Sequence, residues 1–168
     1  MEEQNLRVAK KVAEEDSVQE ILEWIRTKVA TVDRTTKQAI CPFAKKTLQT
    51  NKIHITEAKG DVLRHIVQCC DVFPIFDLDI IILYFNTAIS EKRLSKICAE
   101  AHQQRQNYAI LYDHPSNKGL IKGTQFSFQK KPLIMIQDLN KLKDAQSKLK
   151  RTAYYTAWGL SPSDDMFY

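Results

Sequence analysis

The chain has 168 residues, of which 43% are hydrophobic, and this size fits one domain with a single buried core. Its 25 basic and 20 acidic residues give a net charge of +5, which favours polyanions but is well short of a dedicated nucleic-acid arm. From the charged N-terminus and the shortness of every apolar run we expect no secretory signal, no membrane-spanning helix and no membrane partner.

The first predicted element is a helix that begins at Ser17 and ends at about Val29 or Ala30. Ser17 and Glu20 have the spacing of a capping box, which places the start of the helix after a charged N-terminal extension, residues 1–16. The apolar residues that recur at helical spacing are Val18, Ile21, Leu22, Ile25 and Val29.

The next stretch predicts a turn followed by a strand. Pro42 disfavours the α conformation of the residue before it, so Cys41 is expected to be extended or in a turn. Residues 52–56 alternate and contain β-branched side chains, which predicts the first strand.

Two further helix–strand units are predicted. A helix from Asp61 is expected to stop before Pro74, and the apolar run 79–85 is typical of a central strand covered on both faces. A third helix starts at Ser90 and is followed by a strand over residues 108–112, which runs directly into a loop.

The rest of the chain predicts one more clear strand and a basic helix. Residues 119–131 alternate only loosely and predict a long loop or an irregular edge strand, whereas residues 132–136 predict the last strand. Residues 156–168 form a C-terminal tail. The apolar positions of the final helix are Leu142, Ala145 and Leu149.

Together these elements predict a single α/β domain over residues 17–155. Two helical crossovers are followed by a nearly direct connection between the last two strands. This order is typical of an α/β sandwich of about four strands with helices packed on the sheet, ferredoxin-like or related.

The four cysteines, at positions 41, 69, 70 and 98, indicate reduced thiols. They form no Cys-x-x-Cys pair and no metal-finger spacing, so we predict no metal site, and vicinal cysteines have poor geometry for an ordinary disulfide. Reduced thiols are typical of a cytoplasmic protein, which is the location we expect. The sequence specifies neither a cofactor nor an oligomeric state.

Cys41 is the first candidate for chemistry. The proline after it makes its backbone rigid, and Lys45 and Lys46 supply positive charge that favours a thiolate, the form that a nucleophile or a metal ligand needs. The alternative is a small buried residue where a helix ends and a strand begins, because free cysteines are usually buried and inert.

His114 is the second candidate. It follows a predicted strand and opens the loop that contains Gly119, a position from which α/β proteins present functional side chains. Asp113 directly precedes it and is expected to point to the other side of the strand, which argues against it as a partner of His114. The alternative role of His114 is to cap the turn beside Pro115.

His54 and His114 each belong to a His-x-Ser/Thr pattern, and they are 60 residues apart. In two-histidine phosphoesterases such patterns lie on neighbouring strands, where one imidazole is the general base and the other the general acid, and the hydroxyls hold phosphate oxygens. Pro115, at the centre of the second pattern, disturbs the strand that must aim both side chains to one side. A phosphoesterase that uses His54 and His114 is therefore an alternative hypothesis.

The basic region 118–151 indicates a different class of function, a non-catalytic module that binds nucleic acid or a protein. Phe126 and Phe128 lie among its lysines, and positive charge combined with aromatic stacking can hold single-stranded nucleic acid. The run 141–151 is more typical of a solvated helix face. The lysines nearest the two aromatic residues are Lys118, Lys122, Lys130 and Lys131.

Three short motifs stand in order along the chain: Ile40-Cys-Pro-Phe-Ala-Lys45, His114-Pro115 and Pro132-Leu-Ile-Met-Ile136. Their order resembles that of a family of uncharacterised bacterial proteins classified as a domain of unknown function. That family has an N-terminal helix, a Leu-Cys-Pro-Phe-Ala-Lys motif, α/β units, a strand ending in a His-Pro loop and a final strand led by proline. The likeness extends over residues 18 to 150.

The chain departs from this family between the last two motifs. The family has an Asn-Arg pair before the proline-led strand, whereas this chain has Gln129-Lys130-Lys131. Lys130 or Lys131 can replace the charge of an anion-binding arginine but not its bidentate geometry. The resemblance implies a shared fold and a shared site rather than a particular activity.

Our preferred prediction is a small, soluble, enzyme-like α/β domain whose site gathers Cys41, His114 and Lys45 at the edge of the sheet. Its ligand or substrate is predicted to be an anionic or redox-active small molecule. Cys41 acts as nucleophile or ligand and His114 as acid/base or ligand in this prediction. The predicted anion contacts are Lys45, Lys118, Lys130 and Lys131.

Overall fold

Four strands form one mixed sheet that carries helices on both faces. The structure, a computed structural model, describes residues 2–121 and 124–161. The helices are α1 (Glu2–Trp24), which continues as a π-helical segment (Ile25–Val29), α2 (Pro42–Gln49), α3 (Val62–Phe76), α4 (Glu91–Gln104), α5 (Leu139–Leu149) and α6 (Tyr154–Trp158). The strands are β1 (Ile53–Glu57), β2 (Ile80–Tyr84), β3 (Tyr108–Asp113), β4 (Leu120–Ile121), β5 (Thr124–Gln125) and β6 (Leu133–Asp138).

The strand order of the sheet is β1-β2-β6-β3. β1 and β2 are parallel and are joined by α3, whereas β6 lies between β2 and β3 and is antiparallel to both. Residues 81–84 of β2 are all buried, as expected of a strand with neighbours on both sides and helices on both faces. β1 and β3 are therefore the two edges of the sheet.

One face of the sheet carries α3 and α4. The side chains of a strand point to opposite faces in turn, so every second residue of the strands meets these two helices. The helices contribute Ile66, Cys69, Cys70, Phe73, Leu94, Cys98 and Ala101 to this part of the core, and the strands contribute Ile81, Leu83, Ile110, Ile134 and Ile136. Three of the four cysteines are thus small apolar residues of the core.

The opposite face, which we name the α1 face, is covered by α1, the π-helical segment and α2. Ile21 and Ile25 contact a buried cluster that includes Ile82, Tyr84 and Leu133. In the described part of the chain, this cluster takes side chains from β1, β2 and β6 but none from β3. The cover on the α1 face therefore ends before the β3 edge.

The first helix is longer than predicted, and Ser17 does not cap it. α1 runs from Glu2 to Trp24, so it crosses residue 16 without a break. The buried Ser17 hydroxyl donates to the Ala13 carbonyl at 3.0 Å and accepts from the Lys131 ammonium at 2.7 Å. The capping-box prediction is wrong because the partners of this hydroxyl lie one turn back and across the fold, and a local pattern does not contain that information.

Two prolines occupy positions other than those predicted. Cys41 is extended (φ −128°, ψ 99°), as predicted, but Pro42 then begins helix α2 and does not lead to a strand. Pro74 lies inside the last turn of α3, so the prediction that this helix stops before Pro74 is also wrong. A proline near the C-terminal end of a helix removes one backbone hydrogen bond, and the packing of Phe73 in the core holds that turn.

The segment 119–131, predicted as a long loop or irregular edge strand, contains the short β4–β5 hairpin and an irregular return to the sheet. Gly119 has a φ of +50°, and a Cβ atom at this position would lie 2.7 Å from the Cβ atom of Ser127. Only glycine combines this backbone conformation with so close a contact.

Helix α6 lies on a separate apolar cluster close to Cys41. The Tyr154 hydroxyl donates to the Ile40 carbonyl, and the Trp158 indole donates to the Ala39 carbonyl at 3.2 Å. Both aromatic side chains are almost fully buried. α6 begins before residue 156, where we placed the start of the tail, and residues 162–168 of that tail lie outside the described residues. α6 thus fixes the chain that leads into Cys41.

The predicted fold class is confirmed, because the chain is an α/β domain with a four-stranded sheet and helices packed on it. The narrower ferredoxin-like comparison is not confirmed. That architecture has the order β-α-β-β-α-β, in which the second and third strands follow each other directly. Here helix α4 separates β2 from β3. Within residues 2–121 and 124–161, every helix is too short or too polar to cross a membrane.

Candidate functional site

A cavity of about 640 Å³ lies over the α1 face beside β3. It occupies the part of this face that the helices leave uncovered, and its volume is typical of small-molecule sites. The register pairs Leu111 with Met135 and Ala109 with Gln137, so these side chains share one face and form a continuous floor. The floor residues are Ile53, Ile80, Ile82, Ala109, Leu111, Asp113, Met135 and Gln137.

The walls of the cavity come from the helices of the α1 face and from two loops. They are lined by Trp24, Ile25, Val29, Ile40, Cys41, Phe43, Ala44, Thr47, Leu48, Asn117, Phe126 and Ser127. Around the β3 edge the cavity continues to Ser95, Cys98, Ala99 and His102 of α4. Among the described lining residues there is no lysine, arginine or glutamate, so the cavity is largely apolar.

Cys41 lies in this wall, at the residue that precedes α2. Its backbone N–H donates to the Val29 carbonyl at 2.9 Å, and its side chain makes no capping hydrogen bond. Burial raises the pKa of the Cys41 thiol, although the backbone N–H groups of Ala44 and Phe43 act in the opposite direction. Cys41 is therefore placed to contact a ligand, but its surroundings favour the thiol over the thiolate.

Asp113 is the lining residue that the sequence prediction set aside. It is only 8% exposed, and its Oδ2 accepts the Phe128 backbone N–H at 2.8 Å. Burial raises the pKa of Asp113, while hydrogen bonds from the backbone of Phe128 and His114 lower it. We predicted that Asp113 points away from the side of His114, and the alternation of β3 places it with Ala109 and Leu111 on the cavity floor. The same alternation is the sequence signal that identifies Asp113 as a candidate residue of this site.

His114 does not line the cavity and instead joins two loops. Its Nε2 donates to the Ile89 carbonyl at 2.9 Å, and its Nδ1 accepts the Ser116 backbone N–H at 3.1 Å. The Ser116 hydroxyl lies 2.7 Å from the same Nδ1 and 3.0 Å from the Glu91 carboxylate. Both ring nitrogens thus have protein partners, an arrangement typical of the turn-capping alternative. A catalytic role for His114 beside Cys41 stays a prediction.

His54 is exposed on β1, at the opposite edge of the sheet from β3. The edges are three strand spacings apart, or about 14 Å at ~4.8 Å each. The charge of His54 acts instead on His65 of α3, whose pKa is lowered first by burial and then by Lys59 and His54. His54 and His114 therefore do not lie on neighbouring strands, and the arrangement that the phosphoesterase hypothesis requires is not formed.

Three of the four predicted anion contacts lie on the surface away from the cavity lining. Lys45 and Lys118 are exposed, and Lys130 pairs with Glu20 at 3.5 Å. The predicted grouping of Cys41, His114 and Lys45 is therefore not found around this cavity.

Lys131, the fourth predicted contact, joins α1 to the sheet. Its ammonium donates to Ser17 Oγ at 2.7 Å and to Asn86 Oδ1 at 2.8 Å, and lies 5.4 Å from the centre of the Tyr84 ring. With these partners, Lys131 stabilises the fold.

The aromatic residues of the basic region do not form an exposed stacking surface. Phe128 is 7% exposed and packs on Trp24 with ring centres 5.5 Å apart, while Phe126 packs against the α6 cluster. On α5, Lys141 lies 3.1 Å from Asp79 and Lys148 lies 2.8 Å from Asp144. Lys122 lies outside the described residues. Phe126 and Phe128 therefore do not form the exposed stacking surface that the nucleic-acid hypothesis requires.

Comparisons with known proteins do not identify the chain. No protein-family model, no curated protein and no solved structure matches it. The resemblance to the bacterial family of unknown function therefore stays a prediction. In the part of the chain that the structure describes, no group of three or more His, Cys, Asp or Glu side chains is placed to hold a metal.

Proposed function

We propose that this protein binds a small, largely apolar organic molecule in the cavity over the α1 face. The observation that carries the proposal is a cavity of about 640 Å³ lined mainly by aliphatic and aromatic side chains. A few polar groups stand among them, and this combination is typical of pockets that hold small ligands.

The polar groups of the lining distinguish this proposal from the prediction made from sequence. Both the prediction from sequence and this proposal include Cys41 as a ligand contact, because Cys41 lines the cavity. An anionic ligand has no lysine or arginine to meet it among the described lining residues, so the proposal does not include one. Chemistry at Cys41 stays a prediction.

A neutral fluorescent probe tests the proposal. N-phenyl-1-naphthylamine is expected to bind with saturation and with increased emission, because its emission rises in apolar surroundings. Ala44→Trp and Thr47→Trp each place an indole in the cavity wall and are expected to weaken binding at least ~10-fold, equivalent to about 1.4 kcal/mol.

Lys46→Trp is the matched control, since it adds the same side chain to an exposed position of α2 outside the lining. It is expected to bind the probe like the wild type. Circular dichroism checks that each variant is folded. Equal binding by the wild type and all three variants would overturn the proposal.

A further inference from the structure

The most unusual group in the cavity is the carboxylate of Asp113. It stands on the floor at the end of β3, where it is 8% exposed, and Leu133 is its partner across the strand pair. It is the one acidic residue among the lining residues that the structure describes.

Asp113 forms no ion pair with a lysine or arginine within residues 2–121 and 124–161. It accepts hydrogen bonds from the backbone N–H groups of Phe128 and His114, and the neighbouring side chain that lowers its pKa through charge is the His114 ring, whose two nitrogens already have protein partners. Other aspartates of the chain do have cationic partners, namely Asp71 with Arg105, Asp77 with Lys52, Asp79 with Lys141 and Asp144 with Lys148.

Burying a carboxylate without a cation is costly, and the cost is recovered when a positive group reaches it in the same low-dielectric surroundings. A hydrogen bond between a cationic N–H and a carboxylate is shorter and stronger than one between neutral groups. Because the fold has already removed Asp113 from bulk water, an incoming amine does not have to displace a full hydration shell from it.

We infer that the ligand of this cavity is an amine on an apolar body, with the ammonium held by Asp113 and the apolar part lying on the floor between the strands and α2. This inference rests on the proposed function. The backbone N–H of Phe128 fixes one carboxylate oxygen, so the acceptor is already oriented before the ligand arrives. The apolar body would contact Leu111 and Met135, which adjoin Asp113 and its partner on the same floor.

Three compounds with the same ring system test the inference by calorimetry. They are 1-naphthylmethylamine, which is a cation at neutral pH, 1-naphthalenemethanol, which is neutral, and 1-naphthoate, which is an anion. The wild type is expected to bind the amine at least ~10-fold more tightly than the alcohol and the carboxylate most weakly.

Asp113→Asn keeps the shape of the side chain and an oxygen for the Phe128 N–H, but it removes the charge. It is expected to abolish the preference for the amine and to leave the affinity for the alcohol within about twofold of wild type. Asp144→Asn removes an exposed charge outside the lining and is expected to keep the preference.

The possible outcomes separate the two proposals. If the alcohol binds and the amine binds no better, the inference about Asp113 is overturned while the proposed function stands. If Asp113→Asn keeps the full preference for the amine, the inference is overturned as well. If none of the three compounds binds the wild type and the neutral probe also fails, both proposals are overturned.

Discussion

At the scale of single residues, Cys41 has a position suited to ligand contact and a thiol whose pKa is raised by burial. The nucleophile is the thiolate, and a raised pKa lowers the thiolate fraction at every pH below it. The three other cysteines are buried in the core, and burial raises the pKa of Cys69 to about 11 and the pKa values of Cys70 and Cys98 to about 12.

We therefore predict slow alkylation of all four thiols in the folded protein near neutral pH. Iodoacetamide labelling, followed by mass spectrometry, should be at least ~10-fold slower for folded Cys41 than for the chain in urea, and faster as the pH rises. Cys41→Ser identifies the signal of this residue. Rapid labelling of Cys41 at pH 7 would instead support the predicted nucleophile.

Local sequence patterns predict the backbone conformation of these residues and the direction of their side chains. They do not predict which groups surround each residue. Pro42 determines the extended backbone of Cys41, and the alternation of β3 determines which way Asp113 points. The burial of Asp113 and its bond to Phe128 depend on residues far along the chain, so no local pattern contains them. His114 was a candidate because of its loop, and its hydrogen bonds to Ile89 and Ser116 depend on how that loop meets α4.

At the scale of elements, Lys131 and its neighbour Lys130 form a natural comparison. Lys131 bonds the buried Ser17 hydroxyl of α1 and Asn86 after β2, whereas Lys130 forms an exposed ion pair with Glu20. Lys131→Met should lower the free energy of unfolding by about 1–3 kcal/mol, because it leaves a buried hydroxyl with one partner fewer. Lys130→Met should change it by less than about 1 kcal/mol.

Urea denaturation of both variants checks this prediction. The two substitutions remove the same side chain, so the difference between them reports the contacts and not the residue type. Equal losses of stability would mean that Lys131 does not join α1 to the sheet in the way its hydrogen bonds indicate.

The four strands of the sheet were predicted to within about two residues at each end, because each is a β-branched or apolar run of ordinary strand length. Helix α2 was not predicted, since its eight residues contain few apolar positions from which to count a period. The start of α1 was placed at Ser17 because Ser17 and Glu20 have the spacing of a capping box. The charged residues before Ser17 form no apolar stripe, so no helical period indicated that the helix begins earlier.

At the scale of the whole molecule, the net charge of +5 predicts weak and non-specific attraction to polyanions. Many lysines already face acidic partners, Lys130, Lys141 and Lys148 among them, and Phe128 is buried. We expect any binding of single-stranded DNA, measured by fluorescence anisotropy, to be lost between about 50 and 200 mM salt. Binding that persists at the higher salt would favour the nucleic-acid module over the small-molecule site.

The arrangement of the whole sheet could not be predicted from the sequence. β2 and β6 both lie between β1 and β3, so they separate His54 from His114 and place the two histidines at opposite edges of the sheet. The cavity depends on a different long-range feature, because it exists where the helices of the α1 face stop short of the β3 edge. Both the strand order and the cavity depend on contacts between distant segments and not on any local pattern.

The place of β6 in the sheet also has a consequence for how the chain folds as a ribosome synthesises it. β1, α3 and β2 are contiguous and can form their parallel pair early, whereas the strand next to β3 in the described sheet is β6. β3 must therefore wait for residues 133–138 to emerge before it gains a neighbour. During that interval an apolar strand lacks hydrogen-bond partners on both sides, and the nascent chain is most open to aggregation or to capture by a chaperone.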